Sequence, residues 1–169
     1  MSMERRTLGD YLSNDEPVAA LWVDMVKIVH RDSPNDALTE RLGPASQTLF
    51  YVGCFQGELI NGGVSQFFSN SAGNCALETL AALREIGAKV CVEILEQALV
   101  VFPEGAPPKD RQKRCELLFA FEERDPELLE QLSLIFYKRV DAMDSVPEED
   151  LTALQLAFMR AHAAELVEA

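Results

Sequence analysis

The sequence predicts an all-α protein: a compact bundle of about eight or nine helices in a single domain spanning residues 1–169. Three observations carry that reading. Apolar residues recur at steps of three and four along nearly the whole chain. Proline and glycine fall between these runs, where helices open and close. No segment alternates apolar and polar over a strand's length; only Phe50-Tyr51-Val52 is locally strand-like, and it lies inside a helical period. At 169 residues and 48% hydrophobic content, the chain can bury a substantial core.

Val18, Leu21, Trp22, Met25, Ile28 and Val29 form one apolar face of a helix opening at Pro17. Ser33-Pro34 predicts a short helix ending near Gly43. Pro44 opens the next, with Leu49, Val52, Phe55 or Gln56, Leu59 and Ile60 inward. Asn61-Gly62-Gly63 stops it, because Asn and Gly tolerate the left-handed backbone that ends helices. A short helix carrying Val64, Phe67 and Phe68 follows, then the turn Asn70–Asn74. Leu77, Leu80, Leu83 and Ile86 mark a helix capped by Gly87. Val90, Ile94, Leu95, Ala98, Val101 and Phe102 mark another, ended by Pro103. After the 103–109 loop, a helix from about Asp110 carries Cys115, Leu118 and Phe119. Asp125-Pro126 reads as an N-cap followed by a first-turn proline ahead of Leu128–Val140. Pro147-Glu148-Glu149 opens the last helix, with Leu151, Leu154, Leu156, Phe158 and Leu166.

The charge is one-sided: 28 acids against 15 bases give a net −13. Such a field argues against nucleic acid or an anionic membrane as the direct partner and permits a basic protein. Residues 116–169 hold 13 acids and 4 bases, so they carry −9 of the total. Within them, Glu122, Glu123, Asp125, Glu127 and Glu130 are expected around the start of one helix. Asp141, Asp144, Glu148, Glu149 and Asp150 are expected around the start of the next. The helix dipole favours acids there, but their number exceeds that need. Carboxylates four apart on a helix are about 6 Å apart along its axis. That is on the order of the spacing of successive phosphates, given about 3.4 Å of rise per step.

No catalytic or metal constellation is legible. Cys54, Cys75, Cys91 and Cys115 form no C-x-x-C pair and are read as reduced, mostly buried thiols. His30 and His162 are the two histidines; neither lies in a nucleophile context, and His162 with Glu165 makes a single E/H pair where a helical metal site needs several. No enzyme activity, cofactor or metal is expected. The start of the chain, MSMERRTLGDYL, has no apolar core, so no signal peptide is expected. No apolar run approaches the ~18 residues of a membrane span. A cytoplasmic protein is the resulting expectation.

The most unusual stretch runs from Glu58 to Asn70, mixing amides, hydroxyls and large apolar groups at a helix break. Two readings stand. In one, Asn61, Ser65, Gln66 and Asn70 line a pocket for a polar small molecule. In the other, Asn61 and the glycines make the turn, while Gln66 and Asn70 cap neighbouring backbone. Glu58, Asn61, Gly62, Gly63, Gln66, Phe67, Phe68 and Asn70, followed by Leu83-Arg84-Glu85-Ile86-Gly87-Ala88, form a pattern that resembles the signature of the nineteen-kilodalton bacterial DNA mimic family. The resemblance is clear over about 45–105 and loose over the N-terminal segment and the acidic last third, 116–169. It implies an all-α fold, a homodimer, and a surface that imitates duplex DNA. It implies binding to a DNA-binding protein, such as a helix-turn-helix transcription regulator, and blocking it from its operator without catalysis. The ten acids of the last third are then the candidate phosphate-mimicking groups, and the signature residues are read as structural. Phe67, Phe68, Phe119 and Phe121 are candidates for an apolar patch covered on dimerisation. The remaining alternatives are the pocket reading and a plain interaction protein whose acid serves solubility.

Overall fold

A computed structural model describes residues 5–30, 39–142 and 145–167. All regular structure among these residues is helical. Eight α-helices run α1 Leu8–Tyr11, α2 Pro17–Val29, α3 Pro44–Ser69, α4 Ala76–Ile86, α5 Lys89–Ala98, α6 Arg111–Glu122, α7 Leu128–Phe136 and α8 Leu151–Ala161. Short 3-10 turns fall at Thr39–Arg41, Ser71–Cys75, Leu99–Val101 and Pro103–Gly105, and a π-helical turn extends α7 over Tyr137–Asp141. The short helix expected at Ser33-Pro34 lies outside the described residues.

The described residues group into two compact units. The first takes residues up to Phe50 together with those from Thr152. Its core draws on Leu8, Leu21, Met25, Val29, Leu49 and Met159, all buried. Trp22 stacks on Phe50 with ring centroids 5.3 Å apart. Both ends of the chain meet in this unit. Leu8 N–H donates to the Glu165 carbonyl (3.0 Å), Gly9 N–H to Ala163 (2.7 Å) and Val167 N–H to Arg6 (2.9 Å). Thr7 and Leu166 form an isolated antiparallel bridge. These bonds satisfy backbone groups of a four-residue helix too short to stand alone. The sequence pattern gave no sign of α1, because three turns of periodicity cannot be read from four residues. On α2, Asp24 receives Lys27 (2.9 Å) and Arg6 (2.9 Å). His162 Nδ1 meets Glu165 Oε1, and its ring stacks on Phe158 at 4.1 Å.

The second unit, Tyr51–Leu151, is built around a chain of aromatic rings. Phe55 meets Phe67 edge-on (5.2 Å) and Phe136 (6.4 Å); Phe67 meets Phe68 (5.2 Å), and Phe68 meets Phe102 (4.9 Å). Each such pair contributes roughly 0.5–1.5 kcal/mol beyond its burial. Phe67 and Phe68 are therefore core, which removes them from the expected dimer patch. Phe121 is half-buried under the Arg124 guanidinium (5.4 Å), and of the four patch candidates Phe119 alone is exposed, at 55%. Ile60 and Leu77 also face outward, against the periodicity. Single apolar residues left at a protein surface are ordinary, because there is not enough polar surface to cover a fold. As expected, α5 buries Val90, Ile94, Leu95 and Ala98, Gly87 ends α4 with φ 80°, and Asp110 caps α6 by accepting Lys113 N–H (2.8 Å). Of the four thiols, Cys91 is fully buried and the others half-buried; none is in a disulfide.

A buried arginine locks this unit. The Arg114 side chain has no solvent exposure. Its guanidinium donates to the carbonyls of Phe68 (2.7 Å), Asn70 (2.9 Å) and Pro108 (2.6 Å). The first two are at the C-terminal end of α3, where carbonyls lack helical partners and a cation is favoured. Gly73 packs so closely on this guanidinium that a Cβ there would stand 2.7 Å from Arg114 Nε.

Candidate functional site: the glycine break and the acidic α6–α7 junction

The signature residues build a helix break in the second unit. Gly62 (φ −169°, ψ 16°) and Gly63 (φ 75°, ψ −166°) depart from helical geometry inside α3, so Asn61-Gly62-Gly63 interrupts the helix as the sequence predicts. A break frees backbone groups that burial would leave unpaired. Two side chains of the α7 segment take them. Tyr137 donates its hydroxyl to the Leu59 carbonyl (2.8 Å), and Val64 N–H donates to Ser133 Oγ (2.9 Å). Ser133 in turn donates to the Leu129 carbonyl (2.7 Å). Ser133 and Tyr137 are four apart and therefore share a face. Gly63 is the contact point: its φ is left-handed and a Cβ there would collide with Ser133 Oγ.

The amides of the signature do something other than cap backbone. Gln66 Nε2 (2.8 Å) and Asn70 Nδ2 (2.9 Å) both donate to Glu58 Oε2, tying the two sides of the break across three turns of chain. Ser65 donates to Glu122 Oε1. Asn61 faces solvent. The four polar residues of the pocket reading thus do not converge. Gln66 and Asn70 are committed to Glu58, and of the four only Ser65 lines the adjoining groove. That groove has a volume of about 450 Å³ and runs between the glycine break and α7, with Glu122 and Glu130 on its walls.

Around it are the acids, in part differently placed from expectation. Glu122 closes α6 and Glu123 is its C-cap, so these two sit at a helix end, where the dipole does not favour them. Glu123, Asp125, Glu127 and Glu130 are exposed, and among the described residues none of them is in an ion pair. Asp125 Oδ1 accepts Leu128 N–H at the start of α7 (3.2 Å), and Glu127 accepts weakly from Gln131 (3.4 Å).

The second acidic group is largely committed to the fold. Glu149, expected as a solvated phosphate-mimicking residue, is 8% exposed. It accepts the Val90 (2.8 Å) and Cys91 (3.0 Å) N–H groups, capping α5 from outside the helix. Free N–H donors at a helix start draw a carboxylate inward, and the π-helical turn with the following loop brings this one within reach. Glu148 is spent on a bidentate pair with Arg139 (2.6 Å on each arm), and that pair holds its carboxyl below the ordinary range. Asp141 is half-buried in the π-helical turn, Asp150 is exposed but already engaged, and Asp144 lies outside the described residues.

Sequence reasoning missed four residues that build this region: Ser133 and Tyr137, which receive the break, and Arg114 and Arg139, which neutralise buried or clustered polar groups. Polar residues four apart inside the apolar run 128–140 were the available signal for the first two. Burial raises the Cys54, Cys75 and Cys91 thiols: Cys54 is pushed up to about 12, with nearby Cys75 and Glu58 adding to the effect. Among the described residues no three His, Cys, Asp or Glu side chains are grouped to hold a metal ion. No helix of the described residues is long and apolar enough to cross a membrane.

No curated protein and no solved structure matches the chain. A family model described as DMP19-like protein matches residues 40–162, a span reaching well beyond the signature and taking in α4 to α8 with their acids. On that match the chain belongs to the family of DMP19-like proteins.

Proposed function

We propose that this protein is a DNA mimic: a homodimeric, non-catalytic cytoplasmic protein whose carboxylates occupy the phosphate-binding surface of a DNA-binding protein and keep it from its operator. The partner class is a basic transcription regulator of the helix-turn-helix kind. The observation that carries this reading is the α6–α7 junction. There Glu123, Asp125, Glu127 and Glu130 are exposed and outside any ion pair among the described residues, in a chain of net −13. Of the four only Asp125 caps a helix, accepting Leu128 N–H; among the described residues Glu123, Glu127 and Glu130 neither pair with a cation nor accept a backbone N–H, unlike Glu148 and Glu149. Unneutralised like charges in one short segment cost self-repulsion, and a cationic partner surface relieves it. The family membership and the resemblance to DNA mimic proteins point the same way.

The test is retention of partners from a native cell lysate at low salt, followed by a salt gradient and mass spectrometry. A basic DNA-binding protein released by salt and displaced by duplex supports the proposal. Retention that ignores both salt and duplex contradicts it. Replacing Glu123, Asp125, Glu127 and Glu130 together by their amides removes most of the retention while leaving helicity intact. Glu149 belongs outside that set, because its loss would be read as lost folding.

A further inference from the structure

The groove beside the glycine break has a one-sided chemistry. Its side-chain donors are Ser65, Ser133 and Tyr137. Each has already given its proton inward: Ser65 to Glu122, Ser133 to the Leu129 carbonyl and Tyr137 to the Leu59 carbonyl. Side-chain acceptors remain. Glu122, with one oxygen held by Ser65, and the exposed Glu130 line a groove whose other walls include Leu129 and Leu134, the latter 45% exposed. A ligand suited to these side chains donates hydrogen bonds, carries positive charge and brings an apolar stem. Arginine alone among side chains combines five donors and no acceptor with a flat, weakly hydrated head. Ser65 holds Glu122 in place before any ligand arrives, which reduces the ordering cost of binding.

We propose that this groove receives one arginine side chain of the partner protein, with the guanidinium between Glu122 and Glu130 and its methylene stem along Leu129 and Leu134. The identity of the partner rests on the mimicry reading; the groove's preference for arginine does not. Such a groove is a shaped anchoring point, distinct from the diffuse attraction of the neighbouring acids. It also gives the glycine break a use beyond the fold, since the break forms one wall of the groove.

The experiment titrates the full chain with acetyl-Gly-Arg-Gly-amide and follows backbone amide signals. Citrulline, lysine and free-arginine probes are run in parallel. Binding is expected to shift residues of the break and α7, and to weaken about ten-fold on changing arginine to neutral citrulline. Glu122→Gln with Glu130→Gln is expected to weaken it about ten-fold, whereas Glu123→Gln with Glu127→Gln, equal in charge but off the groove, changes it by less than about two-fold. Leu134→Ala keeps the net charge and, being an exposed position, the fold; a loss of about three-fold is expected from the shortened apolar wall. Equal losses from the two carboxylate pairs, or no loss with Leu134→Ala, overturn the anchoring site in favour of diffuse attraction. Lysine binding as tightly as arginine overturns the guanidinium preference. Free arginine binding more tightly than the blocked peptide overturns docking in favour of a small-molecule site. Duplex competition for the partner is scored separately: the peptide pattern without competition sinks mimicry alone, and competition without the peptide pattern sinks the groove alone.

Discussion

Glu149 shows how far a residue's chemistry depends on where its neighbours end. In sequence it is one of three consecutive acids, yet it alone is drawn inside to accept Val90 and Cys91 N–H groups. Glu149→Ala orphans two donors at the start of α5 and is expected to lower stability by about 2 kcal/mol, measured by urea unfolding. Glu123→Ala, on an exposed carboxylate outside any ion pair among the described residues, is expected to change it by less than about 0.5 kcal/mol. Equal effects would contradict the assigned roles. Asp24 supplies a pH-dependent counterpart in the first unit. The hydrogen bond from Lys27 does most to hold its carboxyl below the ordinary 3.8, against the opposing push of partial burial, with help from Tyr11 and Arg6. Its folded-state pKa is therefore depressed. The stability it contributes is present above 3.8 and is lost as pH falls through the lower folded value. Asp24→Asn is expected to cost of the order of 0.5–1 kcal/mol at neutral pH, the scale of a solvent-screened ion pair. The difference from the parent protein should vanish in acid. A difference that persists unchanged into strong acid would contradict this assignment.

At the scale of elements, the broken α3 is the feature that the signature encodes. Its two glycines were readable as a helix stop because few other residues accept a left-handed backbone. What receives the break was not readable, since Ser133 and Tyr137 are about 70 residues away and look like ordinary interruptions of an amphipathic run. Gly63→Ala is expected to destabilise the protein by about 2 kcal/mol or more, from the left-handed backbone and the collision with Ser133. Gly57→Ala, in the same helix with open space at its Cβ, is expected to stabilise by about 0.5–1 kcal/mol. Thermal unfolding of the two variants decides the matter, and a Gly63 variant as stable as the Gly57 variant would remove the break from the account. Helix boundaries set by proline, glycine and Asp110 were legible for the same local reason. The start of α8 was not: Pro147-Glu148-Glu149 reads as an opening turn, but long-range partners hold both glutamates and the helix begins at Leu151.

At the scale of the whole molecule, composition spoke early and incompletely. The count of acids and their concentration in the last third were plain. Which of them remain available was not, because pairing with Arg139 and capping of α5 are tertiary events. The structure moves the available charge toward the α6–α7 junction, the part of the acidic set least occupied by the fold. Carboxylates on a protein condense fewer counterions than a duplex does, so fewer ions are released or taken up on exchange of one for the other. Partner binding by this protein should weaken with salt, but with a shallower logarithmic slope than operator binding by the same partner. Raising salt therefore shifts the competition toward this protein.

The most direct measurement is competition by fluorescence anisotropy, with a captured regulator, its labelled operator duplex, and this protein as unlabelled competitor at low and at moderate salt. The account predicts stoichiometric displacement of the duplex, more effective at the higher salt, and loss of displacement when Glu123, Asp125, Glu127 and Glu130 are replaced by amides. A ternary complex of regulator, duplex and this protein, with the duplex undisplaced, would contradict it.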